Sequence, residues 1–221
     1  MTTRLELCQA MRLLLPDQIR WPEASLNAWI GEAVRDYSAV FPLVDQANVP
    51  CHPGERRYPL SFPGQIIDIL QVEFPLEQDP PRYLMRMPRS DPRFEQSPVY
   101  DFFVEGLPDA PVLMLGEVPA AGQGIGVTFT TRHPPPTSDD YVLTLPGHHL
   151  EALKLYVLWQ ALRQLELEEA SAAAPTPGVS SLLGINAARA ERLYRARLRD
   201  LRALAGPGGF SGTWNPYKGV Y

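Results

Sequence analysis

Four histidines, two cysteines and a few adjacent carboxylates are the residues through which this chain could do metal or covalent chemistry. His148 and His149 are neighbours, so on a helix they point about 100° apart and cannot clamp one ion together. At a helix start such residues cap the helix or face solvent. His52 follows Cys51, but no second Cys/His pair stands at finger or ribbon spacing, so a zinc site lacks its ligands. Gly122, Gly124 and Gly126 form a GxGxG string that runs into Val127, Thr128 and Phe129, a strand pattern. A dinucleotide loop needs a strand before it and a helix after it, so the string reads as a turn. Asp139 with Asp140, and Glu168 with Glu169, are side by side rather than facing, which suits solvated ends of elements better than general acid–base work. Phosphate-loop, nucleophile-elbow and HExxH motifs do not occur. No catalytic residue, cofactor or metal is expected, and the chain does not read as an enzyme.

Binding chemistry is better represented than reaction chemistry. Residues 206–221, GPGGFSGTWNPYKGVY, are too rich in Gly and Pro to propagate helix or strand. Phe210, Trp214, Tyr217 and Tyr221 nevertheless recur every three or four residues, and Tyr and Trp carry much of the energy of protein interfaces. The segment reads as an extended arm that docks on another chain; the other reading is that it folds back over its own domain. Just before it, Arg189, Arg192, Arg195, Arg199 and Arg202 lie at three- and four-residue steps on one side of a helix. Ala190, Tyr194, Leu198, Leu201 and Ala205 lie on the other. That row is either a solvated basic face, a contact for an acidic protein surface, or a contact for a nucleic-acid backbone.

The elements that must carry these features follow from periodicity. A first helix is expected over 3–15, with Leu5, Cys8, Met11 and Leu15 near one face and Pro16 and Asp17 at its end. A second begins at Pro22, a residue tolerated in a first turn, and places Leu26, Trp29, Ile30, Ala33, Val34, Tyr37 and Phe41 in a core-facing stripe. From 49 to 146 helical periodicity disappears. Short β-type runs at 65–74, 100–105, 112–115, 125–132 and 141–145 alternate with turns, and 77–98 reads as a long loop or projecting hairpin. Helix returns at residues 146–148. The run 150–167 is apolar almost all round, so it is either a central helix or one also buried in a subunit contact, with Tyr156, Trp159 and Leu162 as the interface residues. A small-residue linker, 171–178, leads to the last helix, 184–205.

These elements describe an α+β chain. A four-helix body is built from 1–46 and 147–205, a small antiparallel β unit is inserted at 47–146, and an extended C-terminal arm follows at 206–221. Apolar content of 45% is ordinary for a globular protein, and 221 residues suffice for one large domain or two small ones. The formal charge of −5 argues against general adhesion to nucleic acid. Of 20 basic residues only Lys154 and Lys218 are lysines, which with 24 prolines suggests a GC-rich genome. Cys8 and Cys51 are too few for a disulfide framework and are expected to be free thiols. No apolar run approaches the roughly 20 residues needed to span a bilayer, and the first residues lack a signal-peptide core, so a cytosolic site of synthesis is expected.

The order of elements resembles a known family. Trp21, Pro22, Glu23, Ala24, Leu26, Trp29, Ile30 and the run 32–37 (EAVRDY) are similar to the N-terminal helix signature of tailed-bacteriophage head–tail adaptor proteins, also called connector or neck proteins. The runs IDILQVEFP at 67–75 and PPRYL at 80–84 resemble its first insert strand. The run 124–130, then Leu145, Pro146 and EALKLYVLWQALRQ at 151–164, resemble its last strand and central helix. The likeness covers most of the chain up to Leu204 but rests on hydrophobic patterns. The loop at 87–98 and the aromatic arm do not match position by position.

The resemblance implies a structural virion protein: a ring, usually of twelve subunits, docked beneath the portal at the capsid vertex and assembled in the host cytoplasm. Such a ring extends the DNA channel, helps retain the packaged genome and offers the attachment surface for tail proteins. Its partners would be other copies of itself, the portal, tail or tail-completion proteins, and double-stranded DNA sliding through the lumen without sequence-specific binding. Phe210, Trp214, Tyr217 and Tyr221 would be portal anchors. A tail-completion or tail-tube terminator protein is the nearest structural alternative, and a DNA-binding protein using the Arg189 to Arg202 face the nearest of another class. The strand at 100–105 is expected to have an exposed edge able to accept a partner strand.

Overall fold

Thr3 starts the first helix for a local reason. Its hydroxyl accepts from the Glu6 backbone N–H at 3.2 Å while the Glu6 carboxylate accepts from the Thr3 N–H at 2.9 Å. The computed structural model describes residues 2–15, 20–62, 64–88, 101–107, 110–172, 176 and 178–205. Helix α1 spans Arg4–Leu14 and buries Leu7, Cys8 and Met11. Helix α2 spans Glu23–Val40, with Pro22 as its cap and Leu26, Ile30, Ala33, Val34 and Tyr37 buried. Helix α3 spans Leu150–Ala170 after one 3-10 turn at Gly147–His149, and α4 spans Val179–Leu204. The chain is thus α+β with four α-helices among the described residues.

Contacts divide the chain into two units. Among the described residues, one holds 2–41 and 133–205, and the other holds 42–132. In the first, α3 packs on α1, α2 and α4. Ala152, Leu153, Val157 and Ala161 of α3 are fully enclosed among Leu7, Met11, Leu26, Ile30, Tyr37, Tyr194 and Leu198. The sequence reading placed the insert at 47–146, whereas the β unit begins at 42 and ends at 132.

The segment after 132 explains the later boundary. It was expected to end in a strand at 141–145, but only Val142 forms a bridge, to Thr3. Leu143 donates to the Thr2 carbonyl at 3.0 Å and Arg4 to the Tyr141 carbonyl at 2.9 Å. Leu143 and Leu145 are buried in the helical core, so the alternation that imitates a strand reflects burial against helices.

The second unit contains two sheets that share one core. Strands β1 (Leu43–Pro50), β7 (Gly124–Thr131) and β3 (Ile66–Glu73) form an antiparallel sheet with β7 in the middle. Strands β2 (Arg57–Pro59), β6 (Val112–Leu115), β5 (Asp101–Glu105) and β4 (Met85–Arg86) form the other in that order, with β4 parallel to β5. Tyr58, Ile69, Val72, Phe74, Phe102, Leu113, Leu115, Ile125, Val127 and Phe129 meet between them. Strands β1, β2 and β4 escape the sequence reading because they are short or mostly polar, and β1 exists by pairing all eight of its residues with β7. The expected exposed edge on the strand at 100–105 is corrected. β5 lies inside its sheet, between β6 and β4, because residues 85–86 return alongside it. Gly122, at φ 80°, makes the turn before β7, while Gly124 and Gly126 lie within that strand.

The enclosure of α3 yields a direct expectation. Leu153→Ala removes a fully enclosed side chain, and stability should fall by about 2–5 kcal/mol. Urea unfolding checks this: a midpoint within error of wild type would contradict the packing described.

Candidate assembly interface

Helix α4 is two-faced, as its sequence suggests. Ala187, Ala190, Tyr194, Leu198 and Leu201 are buried, and Arg189, Arg192, Arg195, Arg199 and Arg202 are all exposed. Arg195 pairs with Glu191 at 3.4 Å and Arg192 Nε donates to the Ala188 carbonyl at 3.3 Å, both within the helix. Such intrahelical, solvated contacts contribute little. The reading by arginines alone misses the apolar residues among them. Leu182, Ile185, Leu193 and Leu204 are large side chains left in solvent on the same helix. They fall outside the buried stripe, and only that placement distinguishes them from core residues in sequence.

On α3, Tyr156 is taken up by its own unit. Its ring meets Tyr194 and Trp159 edge-on at 5.3 Å each, and burial raises its phenol pKa. Tyr194, fully enclosed, donates its hydroxyl hydrogen bond to the Asp36 carboxylate, and burial first, then that bond, raises its pKa. Trp159 and Leu162 are half-buried. The helix is therefore less completely enclosed than its composition implies: Leu167 is exposed and a polar flank carries Glu151, Lys154 and Glu168. The arm residues Phe210, Trp214, Tyr217 and Tyr221 lie outside the described residues.

The match to known proteins bears on these surfaces. Residues 2–213 match the family described as SU10 adaptor protein. The chain belongs to that family. No curated protein matches it. Membership accords with the resemblance to phage head–tail adaptors and assigns a structural role of that kind, in a virion component that associates with other virion proteins such as portal and tail. Families of this type are structural rather than enzymatic. Among the described residues, no cluster of three or more His, Cys, Asp or Glu could hold a metal ion, and no helix is long and apolar enough to cross a membrane. Cys8 and Cys51 are free and buried, and burial raises both thiols.

One polar cluster in this SU10-family chain was not foreseen. His149 was expected to cap or face solvent, but it is buried and hydrogen-bonded through Nδ1 to the Tyr37 hydroxyl. Its ring also lies edge-on to Phe41 at 5.1 Å, while His148 stays outside. His133 is buried too, with Nδ1 2.7 Å from the Thr144 hydroxyl and Nε2 3.0 Å from the Phe41 carbonyl. Its backbone N–H donates to Ser38 Oγ at 3.1 Å. The cluster ties the segment at 133–149 to the end of α2, and its members lie too far apart in sequence to be read as a set.

Burial lowers the pKa of both rings, and that of His149 falls to about 4, with His148, Arg197 and His133 adding repulsion. The folded state therefore holds His149 neutral while the unfolded chain takes up a proton from pH 6.5 downward. Stability is complete above pH 6.5 and is lost as pH falls toward 4, by about 1–2 kcal/mol from His149 at pH 5. Urea midpoints at pH 7.5 and 5.0 measure this, and His149→Gln should flatten the difference. An equal acid loss in that variant would assign the effect elsewhere.

Proposed function

We propose that the protein assembles as a ring, of about twelve copies by family resemblance, which docks on the portal, extends the DNA channel, helps retain the packaged genome and presents the surface on which the tail is built. The observation that carries this reading is that one family match, over residues 2–213, runs through both the helical and the β unit. A shared adaptor architecture is thus supported rather than a borrowed domain. Phe210, Trp214, Tyr217 and Tyr221 serve in this proposal as portal anchors, because widely spaced Tyr and Trp on a Gly-rich segment gain most by filling pockets of a partner. Trp159 and Leu162, half-buried on α3, are available to a neighbouring copy. The net charge of −5 suits a channel through which phosphates must slide without sticking. Assembly in the host cytoplasm precedes incorporation in the virion, and no membrane partner is invoked.

The five exposed arginines of α4 favour one further reading, a contact with the DNA backbone. It requires duplex binding by the free protein that weakens steeply with salt. A flat titration at low salt removes it.

The portal reading is tested by co-sedimentation with portal particles, comparing the intact chain with one ending at Ala205. The shorter chain should be recovered at a small fraction of the intact one, and equal recovery would remove the arm from portal docking. Within the arm, Trp214→Ala should weaken docking about 30-fold, corresponding to roughly 2 kcal/mol. Unchanged affinity for that variant would exclude Trp214 as an anchor.

A further inference from the structure

The outward side of the three-stranded sheet is made of groups that donate and accept hydrogen bonds. Register sets them in two rows. Gln46 on β1 stands beside Thr128 on β7 and Gln71 on β3, and in the next row Asn48 stands beside Gly126 and Glu73. The alternate residues Ala47, Val49, Val72, Ile125 and Val127 go into the core. A pocket of about 140 Å³ lies over the two rows, with Leu76 and Tyr83 completing its walls. Leu76 is fixed there by its N–H, which donates to the Gly124 carbonyl at 2.8 Å. A Cβ on residue 126 would come within 2.8 Å of Leu76 Cδ1, so glycine leaves the room for that wall. Gln46 Nε2 donates to Thr128 Oγ1 at 3.1 Å, and Glu73 Oε1 accepts from the Glu77 N–H at 3.2 Å. These bonds orient the side chains while using one hydrogen of Gln46, one lone pair of Thr128 and one of the Glu73 carboxylate. Asn and Gly are both poor strand residues, so Asn48 opposite Gly126 is not explained by sheet stability.

We propose that this pocket is a saccharide site, which takes the terminal residue of a neutral glycan. Gln46, Asn48, Gln71 and Glu73 bind its hydroxyls, and the Tyr83 ring carries its C–H face. The lining selects the ligand class. Among the described residues that line the pocket there is no Arg, Lys or His, and Glu73 is the one charged side chain, so a phosphate or carboxylate meets repulsion and no counter-charge. An apolar ligand would strip water from three amides and a carboxylate without replacing its hydrogen bonds. A fitting ligand is therefore neutral and carries donors and acceptors side by side, as sugar hydroxyls do. It also has an apolar side, which suits the 39% exposed Tyr83. A peptide strand is the poorer occupant, because its backbone groups are read along a sheet edge and this pocket lies on the sheet face. The volume suits one sugar ring. Gln46, Asn48 and Tyr83 are exposed, so the ring is only partly enclosed, which fits the end of a longer glycan better than a small metabolite buried on most sides. This inference is independent of the ring reading.

Saturation-transfer NMR on the full chain tests the site, with the methyl glycosides of glucose, galactose, mannose and N-acetylglucosamine as probes. A single ring in a shallow pocket binds at a dissociation constant on the order of 1 mM, within reach of this method. At least one glycoside should receive saturation, strongest at the ring protons that face Tyr83. Gln71→Ala and Glu73→Gln should each weaken that glycoside's binding about ten-fold, because each removes a partner from a hydroxyl. Asn48→Ala, at an exposed side chain, should do the same and gives the reading if either of the others fails to fold. Tyr83→Ala should abolish the saturation of the facing protons. No signal from any of the four glycosides overturns the proposal, and so does a signal that all of the folded variants leave unchanged. Glycerol or an acetylated dipeptide amide giving an equal signal, lost in the same variants, shows a general polar cleft or a peptide site and overturns it as well. Co-sedimentation of the variants with portal particles should match that of the unaltered chain. Its loss would assign this sheet face to portal docking and reject the saccharide.

Discussion

The packing of α2 against α3 is the constraint on which the helical unit depends, because the two helices are separated by the whole β unit at 42–132 and the segment 133–149. The entropy of closing so long an intervening chain grows only slowly with its length, so a large insert is tolerated if the closing contact is strong. The contact is built for that task. Leu26, Ile30 and Ala33 of α2 and Ala152, Leu153, Val157 and Ala161 of α3 all have no exposed surface. Small residues on α3 allow close approach, and large ones fill the space beside them. The His149 to Tyr37 hydrogen bond locks the start of α3 to the end of α2 in the same place. A buried neutral imidazole in that position adds specificity and makes the junction responsive to acid.

What could be read in advance divides along the same physical line. The helices were legible because their burial is set by a 3.6-residue stripe, and α2 and α4 bury nearly the residues their stripes name. β7 was legible because Ile125, Val127 and Phe129 alternate cleanly into the core. β1 was not, since Asp45, Gln46 and Asn48 obscure its pattern and its existence depends on a partner 80 residues away. Residues 141–145 misled in the opposite sense, because alternation records burial on one side and does not name the neighbour. The histidine cluster was invisible for a related reason. His133, His149, Tyr37 and Thr144 come together only when the insert is closed off.

The candidate interface shows a third limit. On α4 the arginines stand out by spacing alone, whereas the aliphatic residues between them separate from core residues only by where the buried side of the helix lies. The two sets are physically linked. Arginine stems can lie along apolar surface while the guanidinium stays hydrated, so an arginine row suits a helix that leaves Leu182, Ile185 and Leu193 exposed. Arginine also binds carboxylates through a planar fork, which lysine cannot do, and 18 of the 20 basic residues here are arginines. A helix face of this composition is compatible with solution and with an acidic, partly apolar partner.

An adaptor gains from keeping such faces individually weak. A small contact of a few exposed aliphatic side chains and solvated charges contributes little beyond the cost of immobilising two molecules. In the proposed ring, copies held side by side on a portal would meet at a high effective concentration, which favours the last steps of closure without any new interaction. On that reading association in free solution is suppressed while association on the platform is efficient. The net charge of −5 acts in the same direction, since it repels free copies at a distance and is screened at the short range where apolar faces meet. A helical unit with a strong internal closing contact and only small exposed apolar areas is stable as one chain, and in the proposed ring it would be selective about where it becomes many.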